Sequence, residues 1–147
     1  MQLIVKLQNP IIYQMIEWED KFSVGISIID QEHKKLIDIL NKASFANERN
    51  DNAVETLELL GDMIEYSRKH FSAEETYMLK FKFPEYQLHR NEHLDFTSKT
   101  IRNHHNFISG DYQIANEILE YLKQWLVNHI QVTDKKYIDC FKKNGLK

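Results

Sequence analysis

Residues 70–93 read H-F-S-A-E-E-T-Y-M-L-K-F-K-F-P-E-Y-Q-L-H-R-N-E-H, and the spacing of a few side chains within them decides the fold. His70 and Glu74 stand four apart before Pro84, and His89 and His93 stand four apart after it. An α-helix turns about 100° and rises about 1.5 Å per residue, so residues four apart share a face, one turn apart. Each half is therefore a two-ligand helix face, and Pro84 fits the first position of the second helix. Two such faces on adjacent antiparallel helices bring three imidazoles and a carboxylate into one space. So much polar chemistry is costly in an apolar interior unless something compensates it, and a metal ion would.

Outward from this stretch the chain reads mostly as helix. Its 147 residues suffice for one domain with a sizeable core, and four Gly and two Pro favour long helices over a turn-rich β fold. Trp18 through Val24-Gly25-Ile26-Ser27-Ile28-Ile29 reads as an extended apolar segment laid against a helical core. Asp30 is the expected N-cap of a first helix, with Glu32 in its first turn and His33, Leu36 or Ile37, Leu40 and Ala43 on its inner face. Asn47 to Asp51 reads as a loop, Asn50 or Asp51 capping a second helix that reaches about Leu79. The expected inward seam of that helix is Val54, Leu57, Leu60, Ile64, Ser67, His70, Phe71, Glu74 and Met78, with Gly61 as a close-packing site. A third helix runs to about Phe107 through Leu88, His89, His93, Phe96 and Thr100, with His104 and His105 complementing the dipole at its C-terminal end. Ser109-Gly110-Asp111 supplies a stop and a new N-cap, and Ile114, Ile118, Leu122, Trp125 and His129 mark a fourth helix.

The fold class expected is all-α: an up-down-up-down four-helix bundle with an extended N-terminal arm and a short C-terminal helix. Residues 18–147 form the domain. Residues 1–17 lack a clean period and read equally as a packed arm, a mobile tail or an upstream extension of the reading frame.

The net charge of −3, without a basic stripe, argues against nucleic acid as a partner. No apolar run approaches the ~18 residues of a membrane span, and the first sixteen residues carry no secretory cleavage pattern. Cys140 is the only cysteine, which excludes an intrachain disulfide and fits an inert thiol in a reducing compartment. The expected location is the cytoplasm.

Each helix contributes histidine to the inner face: His33, His70, the pair His89 and His93, and His129. A lone buried histidine is ordinary, but five converging need partners for both ring nitrogens, and an apolar seam offers few. With Glu74 and Asp134 the candidate set is seven side chains without a thiolate, too many for one tetrahedral zinc. Two six-coordinate ions bridged by both carboxylates use them all, with iron the first choice and manganese the second. Twelve coordination positions are then filled to eleven by five imidazoles, two bridging carboxylates and a bridging oxo or hydroxo group. His89, His93 and His129 share one ion, His33 and His70 the other, so the open position belongs to the latter. His129 and Asp134 are five apart, about 500° of turn, which requires a π-bulge or a helix end between Ile130 and Thr133.

The pattern His33, His70-Phe71-x-x-Glu74, His89-x-x-x-His93 and His129-x-x-x-x-Asp134 resembles the hemerythrin family in its bacterial single-domain form, over roughly Trp18 to Tyr137. The resemblance implies a non-haem di-iron centre that binds dioxygen reversibly at the iron with the open position. It also implies an apolar oxygen pocket at Leu36, Phe71, Trp125 and Ile130, and Tyr137 matches a family position near the site. An oxygen carrier, store or scavenger is the expected function, and not an enzyme. Two other classes compete: a sensor of oxygen or iron, for which the N-terminal arm is the only signalling element, and an oxidase, peroxidase or nitric oxide-handling enzyme. The chain has no Glu-x-x-His, the motif of carboxylate-rich di-iron oxidases.

Overall fold

The computed structural model describes residues 15–49, 53–111 and 114–147. Four long helices, α1 (Ser27–Glu48), α2 (Ala53–Lys80), α3 (Tyr86–Ile108) and α4 (Ala115–Asn128), form an all-α up-down-up-down bundle. α1 packs on α2 and α4, and α3 packs on the same two neighbours, so the helices close a ring in chain order. Beyond α4 the chain continues as a π-helical turn, His129–Thr133, then a 3-10 turn, Asp134–Tyr137, and the short α5 (Ile138–Lys143).

The lead-in is held by two side chains of α1. Asn41 accepts from the Ile16 N–H at 3.0 Å and donates to its carbonyl at 2.9 Å. Asp30 accepts from the Val24 N–H at 2.8 Å and from the Ser23 hydroxyl. Asp30 is therefore not the N-cap expected of it: α1 starts at Ser27, with Ile26 in the cap position. Ile26 and Ile29 are buried while Ile28 is 48% exposed, a helical pattern where an extended one was expected. Residues 1–14 and the proposed caps Asn50 and Asp51 lie outside the described residues.

The α2–α3 corner corrects a second expectation, because α3 begins at Tyr86 and Pro84 lies in the preceding turn. α2 ends in a Schellman motif: Phe83 N–H bonds the Met78 carbonyl at 2.8 Å and Lys82 N–H the Leu79 carbonyl at 3.2 Å. Lys82 occupies the left-handed position at φ 56°, where glycine is usual, and Phe83 packs with Met78. Gly110 ends α3 in the same way at φ 104°, as expected, although α4 proper begins at Ala115, with Ile114 N–H on the Asp111 carbonyl.

On α2 the buried stripe runs Thr56, Leu60, Met63, Ser67, His70, Glu74 and Met78, with Phe71 beside it. Val54 is 65% exposed, and Leu57 and Ile64 are only half-buried, because the buried stripe steps back from His70 by three and four in turn, near the helical repeat, whereas a seam stepping mostly by three drifts off that face. Leu88 on α3 is likewise exposed. Gly61 is not a steric necessity, since a methyl there would meet His104 Nε2 at an ordinary 3.6 Å. His104 is half-buried with Nε2 3.4 Å from the Leu57 carbonyl, while His105 is exposed in the last turn of α3. Cys140 is half-buried, its thiol 3.7 Å from the Phe81 carbonyl.

The apolar interior falls into two clusters. One holds Leu36, Leu40, Leu60, Met63, Phe71, Phe96, Leu122 and Ile130, among others; the second holds Val24, Ile26, Ile29, Met78, Phe83, Tyr137 and Phe141. On α1, His33 falls between Ile29 of the second and Leu36 of the first; His89 and His93 fall between Phe83, in the corner ahead of α3, and Phe96 on α3. A polar layer thus crosses the bundle between two greasy ones.

Candidate metal centre

All seven expected ligands meet in that layer, each no more than 3% exposed. Their donor atoms fall into two groups: Glu74, His89, His93, His129 and Asp134, and His33, His70, Glu74 and Asp134. Both carboxylates belong to both groups, and the histidines divide three and two.

Each carboxylate turns one oxygen to each group. Glu74 Oε1 lies 3.0 Å from His70 Nε2 and 3.5 Å from His33 Nε2, while Oε2 lies 3.2 Å from His93 Nε2 and 3.5 Å from His89 Nε2. Asp134 Oδ2 lies 3.1 Å from His33 Nε2, and Oδ1 lies 3.0 and 2.9 Å from the Nε2 atoms of His89 and His129. Donors held about 2.1 Å from one ion at right angles are about 3.0 Å apart, so these separations are those of neighbours around shared ions. Several of these close approaches lack hydrogen-bond geometry. His33 Nε2, His89 Nε2, Glu74 Oε2 and both Asp134 oxygens are buried without a hydrogen-bond partner, in a fold where such groups are normally satisfied. The donor set therefore fits a pair of cations.

His129 and Asp134 share the layer because the backbone between them is π-helical, with Asp134 N–H bonded to the His129 carbonyl. An i→i+5 bond makes residues five apart one turn apart, which an α-helix cannot do. The irregularity expected between Ile130 and Thr133 falls there.

Behind the imidazoles stand carboxylates that the ligand spacing does not reveal. Glu32 Oε2 is 2.6 Å from His70 Nδ1, Glu92 Oε2 is 2.8 Å from His129 Nδ1, and Glu75 Oε2 is 3.8 Å from His93 Nδ1. The carboxylates on His70 and His129 fix the tautomer and leave each Nε2 lone pair for an ion, whereas Glu75 is too far from His93 to hydrogen-bond it. The Tyr137 hydroxyl donates to Glu74 Oε1 at 2.7 Å. Glu32 and Glu92 each precede a ligand histidine in sequence, a weak signal, because only the helix packing shows that each serves a histidine on a different helix.

Electrostatics bind the layer together. Burial pulls the His70 imidazole down, but the Glu74 charge and the Glu32 hydrogen bond overcome it and push the pKa up to about 10. His129, likewise opposed by burial, is raised to about 9 by Asp134 and Glu92. Burial opposes ionisation of Glu74 too, yet His70, His33 and His89 hold its carboxyl well below the usual range. Asp134 is held low by His129 and His33 against burial and the Glu74 charge. The Tyr137 phenol goes well above its ordinary value through burial and the charges of Asp134 and Glu74.

The expected pocket residues lie together on one side of the layer. Leu36, Phe71 and Ile130 are buried in the first apolar cluster and Trp125 packs on it. Phe71 stacks on His93 at 3.9 Å, and Trp125 on His129 at 4.3 Å.

Bundle and layer together define a metal-binding four-helix protein in which histidine outnumbers carboxylate. The family described as hemerythrin HHE cation binding domain matches residues 24–141, and the chain belongs to the hemerythrin family. A bacteriohemerythrin of Clostridium acetobutylicum is 33% identical over 132 residues, covering 85% of this chain and all of that protein. One from Stenotrophomonas maltophilia is 30% identical over 87% of this chain and 82% of its own. A hemerythrin-like protein of Naegleria gruberi is 30% identical over 82% of this chain and 88% of its own. A wild-type hemerythrin crystal structure superposes with a TM-score of 0.80 at 28% identity, covering 87% of this chain and 98% of that one. Among the described residues no helix is long and apolar enough to cross a membrane.

Proposed function

We propose that this chain binds dioxygen reversibly at a non-haem di-iron centre held by His33, His70, Glu74, His89, His93, His129 and Asp134. The observation that carries the reading is the unequal donor set: two carboxylates reach both groups, while three imidazoles serve one and two the other. Bound by these residues, a pair of iron ions with a bridging oxo or hydroxo group would supply the electrons that dioxygen binding borrows and returns. The His33 and His70 group, one donor short, is where a small ligand enters.

The chain's own residues make that loan reversible. Leu36, Phe71 and Ile130 carry no titratable proton and exclude water from their side of the layer. Trp125 covers His129. The Tyr137 phenol is on the other side, in the second cluster, with its proton committed to Glu74. Histidine-rich coordination and the family membership favour a binding protein over an oxidase.

The test is anaerobic reconstitution with ferrous iron followed by air. Two irons per chain and a visible charge-transfer band that develops in air and fades on deoxygenation are expected. Irreversible conversion to the ferric state would refute reversible binding and favour the enzyme or sensor. Glu74→Ala removes an oxygen from each group, so iron should fall below two per chain; an unchanged count would show that Glu74 is no ligand.

A further inference from the structure

We propose that Glu92 is a positioning residue that staples the π-helical turn, holding His129 and Asp134 in the register the centre needs. The inference rests on the metal-centre reading above and goes beyond it. One oxygen of Glu92, Oε2, accepts from His129 Nδ1 at 2.8 Å and from Thr133 Oγ1 at 2.8 Å. His129 and Thr133 are the first and last residues of the π-turn. A single atom of α3 thus ties both ends of an irregular segment that follows α4.

The segment has reason to need a staple. Runs of i→i+5 bonding are rare because α-helical continuation competes with them. Were residues 129–134 to revert to α geometry, Asp134 would rotate about 140° away from the His129 face and withdraw both oxygens from the layer. The Thr133 bond resists that rotation from one end and the His129 bond from the other. Glu92 can do this because it lies between His89 and His93 in sequence, so α3 supplies the ligands and the staple together. Its side chain is 45% exposed, in a shallow depression it shares with Leu88, Thr133 and Lys136, so replacing it opens no core cavity.

Three variants separate the parts of the argument: Glu92→Ala removes both bonds, Thr133→Val removes one with little change of shape, and Glu92→Gln keeps a carbonyl oxygen but loses the charge. Each apo-protein is titrated with cobalt(II) under nitrogen, and amide exchange at Asp134, whose N–H closes the π-turn, is followed in the loaded form. Wild type takes two cobalt ions. Glu92→Ala is expected to weaken both ions, because Asp134 serves both groups, with the larger loss of about 10–100-fold on the ion of the three-histidine group, which also holds His129, and to lose Asp134 protection at least about tenfold. Thr133→Val shows a smaller loss of protection and a smaller weakening of both ions, and Glu92→Gln keeps the protection while weakening only the ion of the group that contains His129. Equal weakening of both ions in Glu92→Ala, or Asp134 protection in Glu92→Ala and Thr133→Val equal to wild type, overturns the staple. Should Glu92→Ala not fold, Thr133→Val and Glu92→Gln decide by the same criteria. A wild-type protein that takes fewer than two ions overturns the metal-centre reading itself, a different failure.

Discussion

Replacing Tyr137 with phenylalanine removes one oxygen from the centre and nothing else, so its cost can be worked from the contacts. The ring is fully buried, stacks on Phe141 at 4.1 Å and faces His89 at 5.5 Å, and phenylalanine keeps all of these. What is lost is the 2.7 Å bond from the hydroxyl to Glu74 Oε1. A hydrogen bond to a charged acceptor contributes about 1.5–3 kcal/mol. Glu74 Oε1 keeps His70 at 3.0 Å and His33 at 3.5 Å, so it is not left alone and the lower end applies, about 1.5 kcal/mol. In a domain of this size each kcal/mol moves the midpoint by about 2–4 °C, which predicts a Tm of the apo-protein about 3–6 °C lower. Circular dichroism melts of the two apo-proteins measure it. The variant should still load two metal ions, because the phenol is not in either donor group. A Tm within about 1 °C of wild type would mean that the buried bond contributes nothing. Loss of a metal ion would mean that Tyr137 acts on the centre directly.

Two further predictions concern stability. His70 and His129, raised from 6.5 to about 10 and about 9, stabilise the apo-fold fully below pH 6.5 and lose that contribution as the pH rises through their folded values. Glu74 and Asp134, held low, contribute above their ordinary values of 4.5 and 3.8 and lose it as the pH falls. Urea midpoints of the apo-protein should therefore be highest between about pH 5 and 6.5 and fall on the alkaline side; metal loading, which needs unprotonated imidazoles, should abolish that fall. An apo-protein that grows more stable from pH 6.5 to 9 would contradict the assignment. Lys82→Gly should raise stability by about 0.5–1 kcal/mol in urea unfolding, because the left-handed backbone there strains any residue with a Cβ, and a loss would show that the lysine side chain earns its place.

The convergence of the candidate ligands was legible because helical spacing places His70 with Glu74, and His89 with His93, on single faces whatever they pack against. The π-turn was legible for the converse reason, that five residues cannot share a helix face. Boundaries were read less well. Asp30 has an N-cap's chemistry but spends it on Ser23 and Val24 ahead of the helix, and Pro84 sits in a corner whose left-handed residue is a lysine that carries no turn signal. On α2, apolar character drew the seam to Val54 and Ile64, whereas the layer's own register selects Thr56 and Met63.

Local periodicity by itself determined that this chain forms four amphipathic helices with five histidines and Glu74 facing inward, since both follow from the turn per residue; Asp134 joins them only through the π-turn. Which oxygen faces which histidine, and which of the many surface glutamates stand behind the imidazoles, was decided only by packing. Glu32, Glu75 and Glu92 each adjoin a candidate ligand in sequence, but adjacency does not say which imidazole each one faces. Their partners sit on other helices, and a contact across helices depends on how those helices are rotated against one another, a quantity that exists only once the bundle has closed.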